Sequence, residues 1–218
     1  MNDSPAHAPR ARVAVFASGG GSNFQAIYDA TADGTLAADV VLCVSNRSDA
    51  GVLDRASAAG IPSVVIRTKD FQDDAEYVSR LLGHLESYGV DLVALAGYLK
   101  KIPSDIVRRY HHRMVNIHPA LLPSFGGKGM YGRRVHEAVL ESGVRWTGAT
   151  VHLVDEEYDT GPIILQEPVP VYPGDSVEEL AARVLEIEHQ LYPRALNLVA
   201  EIRLRVEGRK VHIIPDLN

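Results

Sequence analysis

Asn116 and His118 stand two residues apart in the run Met114-Val115-Asn116-Ile117-His118, immediately before Pro119. On a β-strand the side-chain period is two, so the amide and the imidazole share one face. Pro119 cannot donate to a sheet ladder and is expected to end the strand. An amide that donates to an oxyanion, beside an imidazole that exchanges a proton, is the equipment of acyl transfer. The same residues also fit a buried Asn–His pair that satisfies only itself at a strand end.

A second group is Ser18-Gly19-Gly20-Gly21-Ser22-Asn23, between an apolar run and a helical pattern. Glycines let the backbone approach a guest, and a helix N-terminus favours an anion, so a phosphate is the natural ligand. A tight turn without a ligand is the alternative. A dinucleotide fingerprint would need a third glycine where Phe24 stands, and an acidic residue where Asn46-Arg47 stands. Gly127-Lys128 lacks the earlier glycine and the following Ser/Thr of an ATP-type loop.

Asp155-Glu156-Glu157-Tyr158-Asp159 reads either as a solvated acidic turn or as a source of one carboxylate, Asp159, that faces His118 and raises its pKa. Thr160 occupies the position where a calcium loop needs glycine. His111 and His112 would point apart on a strand, and His7, His84, His136 and His189 show no ligand spacing, so no metal site is expected.

These groups need a frame to position them. Short apolar runs over 13–17, 40–45, 63–66, 92–96 and 114–117 alternate with helical patterns over 23–32, 51–59, 73–88 and 104–109. That alternation predicts an α/β fold with a mostly parallel sheet and helices on both faces. In the C-terminal half, 149–154 and 163–171 flank Asp159-Thr160-Gly161-Pro162 and predict an antiparallel hairpin. A long helix is expected over 176–205, opened by a Ser176/Glu179 capping box and kinked at Pro193. The glycine-rich stretch 123–132 reads as a loop.

Of 218 residues, 46 % are hydrophobic and 23 % charged, which suits a globular domain over 12–218 behind a flexible tail, residues 1–11. The net charge of −6 and the lack of long basic runs disfavour non-specific nucleic-acid binding. No apolar run approaches a membrane span, and the start lacks an apolar signal core, so the cytoplasm is the expected compartment. Cys43, the single cysteine, reads as a core residue.

Taken in order, Ser18 to Asn23, Leu95-Ala96-Gly97-Tyr98, Asn116-Ile117-His118-Pro119 and Asp159 through Gly161-Pro162-Ile163-Ile164-Leu165-Gln166 resemble the folate-dependent phosphoribosylglycinamide formyltransferases, over about Arg12 to Val199. The resemblance implies a seven-stranded, Rossmann-like sheet. It implies transfer of a formyl group from 10-formyltetrahydrofolate to glycinamide ribonucleotide (GAR) in purine synthesis, with no metal and with a monomer or homodimer as the assembly. Asn116, His118 and Asp159 would be the catalytic trio. Gly20, Gly21, Ser22, Asn23 and Glu188 would bind GAR. The folate would lie along Leu99, Lys100, Lys101 and Ile102, Asn116, and the loop of Asp155, Glu156, Glu157 and Asp159.

The chain departs from the family in places. Leu99-Lys100-Lys101-Ile102 stands where relatives often have Met-Arg-Ile-Leu, and Ala120 where a Ser is usual. A folate-contacting Arg of some relatives falls near Asp74, leaving Arg67 or Lys69 as the expected substitute. The loop over 124–134 is longer and richer in glycine than the family pattern, and reads as a lid or as a segment without fixed structure. The competing readings are a methionyl-tRNA formyltransferase, a formyltetrahydrofolate deformylase, an NADP-linked oxidoreductase and a non-catalytic sensor.

Overall fold

The computed structural model describes residues 10–215, so most of the expected tail lies outside the described residues. Five parallel strands come first: β1 (Ala11–Phe16), β2 (Ala38–Ser45), β3 (Ser63–Val65), β4 (Leu92–Leu95) and β5 (Met114–His118). Between them lie α1 (Ser22–Ala32), α2 (Val52–Ala58), α3 (Asp74–Ser87) and α4 (Ser104–Arg109). Then come α5 (Arg133–Ser142), β6 (Trp146–Leu153), β7 (Ile163–Pro170) and α6 (Val177–Ala200). The seven-stranded sheet has the order β3-β2-β1-β4-β5-β6-β7, with β6 antiparallel to both neighbours. This is the α/β architecture expected from the strand and helix alternation.

The parallel strands are apolar on both faces because both faces are covered. Val13 and Val15 join the core cluster that contains Phe24 and Ile27 of α1 and Leu191 of α6. Ala14 and Phe16 join the other, with Leu81 of α3 and Ile106 of α4. Cys43 is buried in the first cluster, and that burial pushes its thiol up to about 11.

Two parts differ from the sequence expectation. α5 was not anticipated: its apolar stripe is short, and only Val135, His136 and Val139 are buried. The last helix ends at Ala200, where Ile202 takes a left-handed φ of 56° and turns the chain into a hairpin of β8 (Leu204–Glu207) and β9 (Lys210–Ile213). Within α6 the helix runs unbroken through Pro193. Among the described residues no helix is long and apolar enough to cross a membrane.

The chain changes direction in the sheet between β1 and β4, whose carboxyl ends open the crevice where ligands of such sheets bind. Ser18 ties that crevice together. Its hydroxyl donates to Asn46 Oδ1 (2.5 Å) and accepts from the Leu99 N–H (2.9 Å), so three strand ends share one group. From below, the fully buried Tyr192 of α6 sets its hydroxyl 3.0 Å from the carbonyls of Leu95 and Val115. Tyr192→Phe strips a donor from two strands and should cost ~1–3 kcal/mol. A urea midpoint equal to wild type would show that the hydroxyl contributes nothing.

Candidate active site

The cleft above β1, β4 and β5 encloses about 1180 Å³. At its centre β5 presents Asn116 and the buried His118, as period-two spacing requires. The antiparallel register then sets His152 of β6 opposite Asn116, and Thr150 opposite His118. Asp159 arrives from the β6–β7 turn with a left-handed φ of 57°. Its carboxylate lies 3.6 Å from His118 Nδ1 and 3.7 Å from His152 Nε2. It also accepts from the Gly127 N–H at 2.9 Å and from Asn116 Nδ2 at 3.4 Å. Burial alone would raise its pKa, but the neighbouring His152 and His118 and the Gly127 N–H hold it below the usual carboxylate value.

The imidazole of His118 corrects one expectation. Burial lowers its pKa and outweighs the pull of Asp159 and of the Phe125 carbonyl, so the resting ring is neutral near pH 7. That carbonyl lies 2.8 Å from Nε2, which assigns the proton of the neutral ring to Nε2 and leaves Nδ1 as the acceptor beside Asp159. A proton taken at Nδ1 would be stabilised at once by the carboxylate.

His152 was not singled out from the sequence, yet it orients Asn116. Its Nδ1 is 2.9 Å from the Leu153 carbonyl, so Nδ1 carries the proton and Nε2 accepts from Asn116 Nδ2 at 3.1 Å. The amide nitrogen is thereby aimed, and its long bond to Asp159 is the one it can exchange for a developing oxyanion. The register opposite Asn116 was the signal for His152, visible only once the hairpin pairing is known.

The glycine-rich loop is part of the site. Thr150 Oγ1 accepts from the Leu122 N–H (3.0 Å) and donates to the Ala120 carbonyl (2.6 Å), fixing the chain just after His118. Gly126 passes so close that a Cβ would lie 2.5 Å from Leu122 Cδ2 and 3.2 Å from Asp159 Cβ. The flanking Phe125 carbonyl and Gly127 N–H then reach His118 and Asp159.

At one end of the cleft, Gly19 and Asn23 form the wall. Gly20, Gly21 and Ser22 complete the turn without lining it. Gly21 has a φ of 76°, and a Cβ there would collide with Val52. No side chain caps α1, so its N-terminus is free for an anion. Glu188 comes from the apolar stripe of α6 and accepts from Asn23 Nδ2 at 2.8 Å. Asn23 Oδ1 is buried with no partner among the described residues.

At the other end are Leu99 to Ile102 and Asp155 to Asp159. Three carboxylates expected to meet a ligand there are already engaged. Asp155 accepts from Thr160 Oγ1 (2.7 Å), Glu156 pairs with Arg108 (3.0 Å), and Glu157 pairs with Lys101 (3.5 Å). Arg67 pairs with Asp70 at 2.6 Å, and neither it nor Lys69 lines the cleft. Among the described residues no cluster of His, Cys, Asp and Glu has the make-up of a metal site.

Burial pushes Glu188 up to about 7, with the Asn23 hydrogen bond opposing it. A folded-state pKa above the unfolded value stabilises the protein fully below pH 4.5 and loses that contribution as pH rises through 7. Glu188→Gln should therefore gain stability over wild type between pH 5 and pH 8, by up to ~3 kcal/mol. A difference in urea midpoint that is the same at both pH values would contradict this.

Residues 11–196 match the family model described as formyl transferase. The chain is 50 % identical to the chloroplastic phosphoribosylglycinamide formyltransferase of Arabidopsis thaliana, over 98 % of this chain and 74 % of that protein. It is 39 % identical to the phosphoribosylglycinamide formyltransferase of Haemophilus influenzae, over 93 % of each. The solved structure of glycinamide ribonucleotide transformylase 1 from Symbiobacterium toebii superposes with a TM-score of 0.90, at 40 % identity and 96 % coverage of both chains. The sheet with its antiparallel hairpin, the cleft at its switch point and the sequence match over most of the length agree: the chain belongs to the formyl transferase family.

Proposed function

We infer that this protein transfers the formyl group of 10-formyltetrahydrofolate to the glycyl amine of GAR, giving formyl-GAR and tetrahydrofolate in purine synthesis. The observation that carries the reading is the placement of Asn116, His118 and Asp159 midway along one cleft that has a free helix N-terminus at one end and an apolar-edged loop pair at the other. A phosphorylated acceptor suits the first end, with Glu188 as an acceptor for sugar hydroxyls. The pterin suits Leu99 to Ile102 and the 155–159 loop. Lys100 lines the cleft with no carboxylate partner among the described residues, and replaces Arg67 and Lys69 as the proposed contact for the folate's acidic tail.

The chemistry follows from the geometry. The amine nitrogen attacks the formyl carbon, and a tetrahedral intermediate forms with an oxyanion. Asn116 donates to that oxygen after releasing its 3.4 Å bond to Asp159. His118 takes the proton released from the amine at Nδ1, and Asp159 stabilises the imidazolium. The bond from carbon to the folate N10 then breaks, and N10 receives a proton from the imidazolium, directly or through water. Holding both substrates in one cleft removes much of the entropic barrier.

An absorbance assay with GAR and 10-formyl-5,8-dideazafolate tests this reading. Wild type should turn over only when GAR is present. Asn116→Ala and His118→Ala should each lower kcat ~100- to 1000-fold while changing GAR affinity far less. Turnover that does not need GAR would make the protein a deformylase. Undiminished turnover in the variants would remove these residues from the mechanism.

A further inference from the structure

His136 is a buried polar group of the cleft that the mechanism leaves unused. It lies in the first turn of α5, is only 6 % exposed, and still lines the cleft. Its Nδ1 is shut off from solvent with no hydrogen-bond partner among the described residues. With Nδ1 enclosed, Nε2 is the ring nitrogen left to meet a group in the cleft. The tautomer follows. A buried bare lone pair is better tolerated than a buried N–H without an acceptor, so the proton of the neutral ring belongs on Nε2. Burial and the neighbouring His118 both lower the ring's pKa and keep it neutral. A neutral ring with its proton on Nε2 offers the cleft one donor.

The position narrows the acceptor. α5 packs against α6, which carries Glu188, while His136 is near enough to His118 for their charges to interact. His136 thus belongs to the cleft wall near the reaction centre, on a helix packed against the one that carries the proposed sugar contact. In GAR, the group that spans those two points is the glycinamide arm, and its oxygen is the amide carbonyl. We propose that His136 is a further acceptor-binding residue whose Nε2–H donates a hydrogen bond to the glycinamide carbonyl of bound GAR. This rests on the formyltransferase reading and adds a contact that fixes the direction of the attacking amine.

The test compares wild type, His136→Ala and His136→Gln, with each substrate varied in turn, and records the ring ¹⁵N spectrum of the wild type with and without GAR. Alanine should raise the KM for GAR ~10-fold and leave the KM for the folate analogue within about twofold, the scale of one lost hydrogen bond. Glutamine, whose amide nitrogen reaches the place of Nε2, should recover most of the loss. The spectrum should show Nε2 protonated, and GAR should shift it. An unmoved GAR KM in His136→Ala overturns the inference. So do two KM values that rise together without rescue by glutamine, which is the mark of a merely structural role. Should alanine fail to fold, a ring spectrum indifferent to GAR overturns it as well. Wild type without GAR-dependent turnover would fell the parent reading along with this one. Normal wild-type turnover with an unmoved KM fells this inference alone.

Discussion

A carboxylate that is only 10 % exposed has to be surrounded by donors, and the centre of this molecule is arranged around that requirement. Asp159 accepts from a main-chain N–H of the glycine-rich loop and from an amide on β5, and the imidazoles of β5 and β6 stand 3.6 Å and 3.7 Å away. No one of these groups neutralises it alone. Together they hold it ionised beside a histidine that burial keeps neutral. The pair is poised so that a proton moves onto the imidazole only when the reaction supplies one, which is what a base at neutral pH requires.

The frame around this pair was largely legible in the residues. Continuous apolar runs announced strands buried on both faces, and the two-residue spacing of Asn116 and His118 placed them on one side of β5. Where reading failed, tertiary context had overruled local pattern. α5 carries a helix on a stripe of three buried residues, too narrow to stand out beside a run of glycines. The 176–205 pattern concealed the end of α6, because one left-handed residue, Ile202, was enough to convert helical spacing into a hairpin. In the site, His152 depends on pairing between strands far apart in sequence, which a linear pattern does not carry. The charge of His118 went the other way from the expectation for a similar reason: the carboxylate next to it was foreseeable, but the depth of its burial was not.

Glu188 shows how function is written into an otherwise apolar pattern. It occupies a place in the buried stripe of α6 that packing alone would give to a leucine. The helix is long, well capped and anchored through Leu191, Ala195 and Leu196, so the fold tolerates a buried carboxyl whose one donor among the described residues is Asn23. A group that weakens the free protein as pH rises is retained, which is expected where it has a ligand to meet.

The 124–134 loop touches His118 and Asp159 through a carbonyl and an N–H, atoms that every residue except proline possesses. Its contribution to the site is therefore almost independent of its spelling. Selection can act there on path and length, through Gly126 and the Thr150 anchor, while most side chains along the loop drift freely. Two relatives could share the same contacts across this segment and show no recognisable likeness in its letters.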